Sequence, residues 1–101
     1  MKELTFPVEV RTQIRKGIGQ LRRDGFVPGI FYLHGEENIS LKIKEKTIIP
    51  IIMSSETHLL NLDFSPGGVR QGILREVQFD PLTDRPIHVD FQGVQIGRAH
   101  V

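Results

Sequence analysis

Apolar and polar side chains alternate along most of this chain. Leu4, Phe6, Val8 and Val10 interleave with Glu3, Thr5, Glu9 and Arg11, the two-residue period of a half-buried strand over 3–11. Pro7 has no amide hydrogen to offer a ladder, so this strand is expected at an edge or with a bulge. Residues 26–33 are rich in aromatic and β-branched side chains, with Ile30 and Tyr32 on one face, Phe31 on the other, and HGEEN at 34–38 closing the strand. Ile39, Leu41 and Ile43 alternate with Ser40, Lys42 and Lys44 in the same way. Strands are expected at 58–64 and 69–79, joined as a hairpin by SPGG at 65–68, with Gly72 read as a bulge. The clearest alternation comes last. Ile87, Val89 and Phe91 point one way, and His88, Asp90 and Gln92 present an imidazole, a carboxylate and an amide in a row on the other.

Two short helices interrupt the strands. The first is expected over 18–24, with Arg22 and Arg23 in its last turn, where cations suit the negative end of the helix dipole, and Gly25 as its stop. The second sits among the isoleucines of 46–55 and is expected to begin near Thr47, because Pro50 is tolerated in a first turn. Between strand and helix, TQIRKGIG at 12–19 reads as a flexible basic loop. Its GxG lacks both the third glycine of a dinucleotide fingerprint and the GK[ST] of a phosphate loop. DPLTDRP at 80–86 is a turn in which Asp80 and Asp84 are favoured for backbone reasons. The pattern is that of a mainly β domain.

A chain of 101 residues, 39% hydrophobic, supports one small core and hence one domain. No apolar run approaches the ~20 residues of a membrane helix, and the first ten residues alternate where a signal peptide has its apolar block. A cytoplasmic location without membrane attachment is therefore expected. The absence of cysteine excludes disulfides, thiolate zinc sites and cysteine nucleophiles. The four histidines are scattered, no G-x-S-x-G elbow surrounds a serine, and His88 with Asp90 has no nucleophile beside it. Neither enzymatic activity, nor a metal, nor a cofactor is expected. Net charge is only +1, but five of the 13 basic residues, Arg11, Arg15, Lys16, Arg22 and Arg23, fall within 11–23, where there is no acid.

A local basic patch beside a polar strand suits RNA. Arginines neutralise phosphates, a tyrosine stacks or bonds a 2′-hydroxyl, and Asp, Gln and His suit the shallow minor groove of A-form RNA. The plain alternative is a solvated sheet face and helix end. EVR at 9–11, LRRDGFVPGIFYLHG at 21–35 and VQFDPLTDRPIHVDF at 77–91 together resemble the bacterial 5S-rRNA-binding family of large-subunit ribosomal protein twenty-five, including its longer general-stress (CTC) relatives. The resemblance implies a closed six-stranded β-barrel with two or three short helices, a non-enzymatic monomer apart from the ribosome, and docking on loop E of 5S rRNA in the central protuberance. It marks Arg11, Arg22, Arg23, Tyr32, Gln78, His88 and Asp90 as RNA contacts, with Arg15 and Lys16 as further candidate phosphate contacts.

The chain departs from that family pattern in places. GIGQLRR at 17–23 carries Gly19 and Gln20 where arginines are common, which predicts weaker and less salt-dependent binding. A proline inside TIIPIIM is also unusual. IGRAHV at 96–101 matches the translation of a common sequencing adapter (ATC GGA AGA GCA CAC GTC), so it is expected to be read-through. Residues 1–92 then form the binding domain, and 93–95 begin a linker to a further domain. Without Arg98 the bases and acids balance at 12 each. Two other readings remain at this point: a different RNA module on the same barrel, such as a tRNA anticodon-binding type, and an interaction domain unrelated to nucleic acid.

Overall fold

The computed structural model describes residues 2–11, 17–54 and 58–94. The alternating segments form β1 (Lys2–Pro7), β2 (Glu9–Val10), β3 (Phe26–Tyr32), β4 (Ile39–Lys44), β5 (His58–Asp63), β6 (Val69–Phe79) and β7 (Pro86–Gly93). The helices are α1 (Ile18–Arg23) and α2 (Glu45–Met53). All seven strands belong to one sheet in the order β1-β5-β6-β7-β3-β4-β2. β1 runs parallel to β5 and β3 parallel to β7, and the other neighbours are antiparallel.

The sheet is a curled half-barrel of seven strands, which corrects the closed six-stranded barrel expected above. The opening segment divides at Val8, beside Pro7. Up to that point it follows β5, with the Val8 N–H donating to the Asp63 carbonyl at 3.0 Å, and beyond it Glu9 and Val10 pair with Lys42 and Leu41. One stretch therefore supplies both ends of the sheet order. Its second half is too short to bury what it carries, and Val10, expected inside, is exposed.

The concave side is filled by Phe6, Val8, Val27, Phe31, Leu41, Ile43, Leu60, Leu62, Phe64, Val89 and Phe91, with Ile48 and Ile51 of α2 packed onto them. Gly72 is not the expected bulge. It pairs regularly with Leu60 and with Gly93, and a Cβ there would lie 2.8 Å from the Phe31 ring and 2.7 Å from the Gln92 carbonyl oxygen. The bulge falls between Leu74 and Glu76 instead. Leu74 and Val77 both pack on the core, a spacing of three that one extra residue makes possible in a strand.

α1 matches its expected span, and Gly25, at φ 86°, ends it, with its N–H donating to the Arg22 carbonyl at 3.0 Å. α2 begins at Glu45 instead of Thr47, which puts Pro50 in the helix interior. Pro50 is tolerated because it and Lys46, whose carbonyl loses its helical partner, both lie on the exposed side where water serves instead. Ile48 and Ile51 hold the opposite side down.

The early start of α2 has a tertiary cause. Glu45 donates its N–H to the Gly25 carbonyl at 2.8 Å, and its carboxylate receives Arg85 of the β6–β7 turn at 3.1 and 2.6 Å. The Arg85 guanidinium holds the Glu45 carboxyl below its ordinary 4.5, against the opposing effect of burial. The unfolded chain takes up that proton first on acidification. The pair's contribution is complete above about pH 4.5 and is lost as pH falls through the depressed native value. In urea titrations between pH 7 and 3, Glu45→Gln is expected to flatten the acid-side fall of the midpoint. Part of the fall remains, because Asp63 and Asp80 are also held low, chiefly by hydrogen bonds from Ser65 and from the Leu82 N–H. An unchanged fall would remove Glu45 as a contributor.

Candidate nucleic-acid interface

The side chains that alternate with the core emerge on the outer side of β3, β7 and β6, and register brings them together. His88 lies opposite Gln78, Asp90 sits between Ile30 and Glu76, and Gln92 sits between Tyr32 and Ile73. Their neighbours Val89 and Phe91 are wholly buried, so the pleat turns His88 and Asp90 outward. His88 Nδ1 is 3.1 Å from Asp90 Oδ1, with the two side chains 31% and 16% exposed. That carboxylate oxygen is shielded from solvent yet accepts no well-aligned hydrogen bond among the described residues.

Arg11 closes the far margin of the same surface. Its N–H donates to the Ser40 carbonyl at 2.9 Å, and Ser40 pairs with Ile30, which pairs with Asp90. Glu9, two residues earlier, meets Lys42 at 3.5 Å, so alternation places Arg11 on that outer side too. Three strand spacings of about 4.8 Å separate Arg11 from Asp90, roughly 14 Å in all.

At the other margin α1 delivers Arg22 to the end of β6, where Nη2 lies 3.5 Å from Asp80 Oδ2, two residues beyond Gln78. Asp80 is fixed by its own turn. The Leu82 N–H donates to its Oδ1 at 2.8 Å, and Asp84, at φ 60°, donates its N–H to the Asp80 carbonyl at 2.8 Å. The backbone reading of both aspartates holds. Arg23, the next residue of α1, donates to Gln20 on its own helix at 3.1 Å. Arg15 and Lys16 lie outside the described residues.

One cation escaped the sequence reading. Arg75 occupies the β6 bulge, and its guanidinium lies over the Tyr32 ring, 5.0 Å from the centroid. The available signal was the three-residue spacing of Leu74 and Val77, which breaks strict alternation and turns an extra side chain outward.

A sequence profile described as the ribosomal L25p family matches residues 7–91. The chain belongs to that family. Among curated relatives, the large ribosomal subunit protein bL25 of Chlorobium phaeobacteroides (strain BS1) is 40% identical over 99 residues, 98% of this chain and 47% of that protein. The bL25 of Pelodictyon phaeoclathratiforme (strain DSM 5477 / BU-1) is 38% identical over 92 residues, 91% of this chain and 46% of its own length. The bL25 of Prosthecochloris aestuarii (strain DSM 271 / SK 413) is 37% identical over 99 residues, 98% and 49%. The chain spans about half the length of these relatives. The matched segment contains Arg11, Arg22, Tyr32, Arg75, Gln78, His88 and Asp90, and ends one residue before Gln92. No helix among the described residues is long and apolar enough to cross a membrane.

Proposed function

We propose that this domain is a structural, non-catalytic component of the large ribosomal subunit that binds the loop E region of 5S rRNA through the outer side of β3, β7 and β6. The observation that carries the reading is the juxtaposition in register of Gln78 with His88, and of Asp90 with the Ile30–Tyr32 strand, with arginines at both margins. In this arrangement Arg11, Arg22 and Arg23 take phosphates and groove edges, and Tyr32 takes a sugar or stacking contact. Gln78, His88 and Asp90 read base edges and 2′-hydroxyls in the shallow groove. Acidic side chains suit base-edge donors and repel phosphate. A face mixing Asp90 with arginines therefore favours an irregular stem with open edges over a plain polyanion.

Filter binding to a 5S rRNA loop E hairpin tests this. Affinity is expected to fall linearly with salt on a log–log plot, with a slope of about −2 to −3 for two or three phosphates engaged, and a tenfold excess of tRNA should not displace the hairpin. Salt-insensitive retention, or equal displacement by tRNA, would refute the assignment.

A further inference from the structure

At the α1 end of the proposed face the charges cancel in pairs, but the two pairs differ in kind. Glu45 is gripped by Arg85 through two hydrogen bonds. Asp80 meets Arg22 through a single 3.5 Å contact, with the side chains 24% and 42% exposed. Asp80 also has an anchor independent of Arg22. Its Oδ1 accepts the Leu82 N–H, its own N–H donates to the Arg85 carbonyl at 2.8 Å, and its carbonyl accepts the Asp84 N–H.

We propose that Asp80 is a built-in competitor for the RNA phosphate at Arg22: its carboxylate occupies the guanidinium in the free protein, and Arg22 exchanges it for a phosphate on binding. The proposal rests on the RNA-binding reading above and adds the residue that sets how tightly, and with what salt dependence, that margin of the face engages. A long, single, solvent-open ion pair is weak and readily exchanged. Because the turn holds Asp80 in place, the carboxylate stays beside the incoming phosphate after Arg22 has left it. A guanidinium that reaches a phosphate releases a counterion from the RNA, but the vacated Asp80 carboxylate repels that phosphate most strongly at low salt and less as salt screens it, so the margin adds little to the salt slope.

Asp80→Asn retains an oxygen for the Leu82 N–H and removes the charge. Asp80→Ser, which also keeps an acceptor, is the second variant. Both are compared with the parent, with Arg22→Gln and with the Asp80→Asn/Arg22→Gln double variant, in filter binding to the loop E hairpin from about 50 to about 300 mM KCl. Each Asp80 variant is expected to bind about two- to fivefold tighter at low salt. Each should also show a salt slope steeper by about one. Both gains should vanish in the Arg22→Gln background. Equal or weaker binding by both Asp80 variants, or a gain that survives Arg22→Gln, overturns the exchange while leaving the RNA reading intact. Failure of the parent to bind the hairpin overturns both.

Discussion

Phe31→Ala is expected to destabilise the domain by about 3–5 kcal/mol, near the top of the range for a buried aromatic residue. The ring is 0% exposed and meets Phe64 edge-on at 5.8 Å between centroids. Beneath it lies a cross-strand pair of glycines: a Cβ on Gly72 would come within 2.8 Å of the ring and one on Gly93 within 3.1 Å. Neither glycine has a side chain that can move into the vacated space, so the cavity stays open, and residual cavity volume is what makes such truncations costly. Small domains have about 5–15 kcal/mol of stability in total, so this one change removes much of it. Urea denaturation should show a large drop in midpoint at a preserved slope. A loss below about 1.5 kcal/mol would mean that the sheet collapses onto the gap, and that Phe31 is not what the two glycines accommodate.

His88→Ala and Asp90→Ala are each expected to cost about 1–3 kcal/mol in affinity for the loop E hairpin at fixed salt, with little loss of stability. The two side chains lie on the outer side of β7, and the core faces of Val89 and Phe91 are untouched by either change. Each substitution takes one partner from a hydrogen bond shielded by the RNA and leaves the other unsatisfied. With His88 Nδ1 3.1 Å from Asp90 Oδ1, the two losses should not add, and the double variant should cost less than their sum. Gel-shift titrations in which both single variants bind like the parent would remove His88 and Asp90 from the interface.

Much of this face was legible before the fold. Tyr32 and Ile30 oppose Phe31, and His88 and Asp90 oppose Val89 and Phe91, because side-chain alternation belongs to a single extended backbone. The end of α1 was legible for a similar reason, since Gly25 acts through its own φ. Other features depended on a second piece of chain. Gly72 looked like a bulge because a lone glycine in a strand marks either a bulge or a close approach, and only the position of Phe31 separates the two. The start of α2 was misplaced because Pro50 argued for a first turn, while Gly25 and Arg85, distant in sequence, hold Glu45 in the helix. Arg75 stayed hidden because the bulge that turns it onto Tyr32 is a property of the β6–β7 register.

The amino-acid sequence by itself determined which side chains the regular strands bury and which they show, Val10 and the β6 bulge apart, where the chain turns, and to which family it belongs, since all of these depend on local periodicity or on runs of residues. Tertiary structure decided which strands are neighbours, that the opening segment serves both ends of a curled sheet, and that Arg11, Tyr32, Gln78, His88 and Asp90 share one side with Arg22 held at its end by Asp80. Pairing and close packing are contacts between segments tens of residues apart, and their free energy exists only once those segments have met.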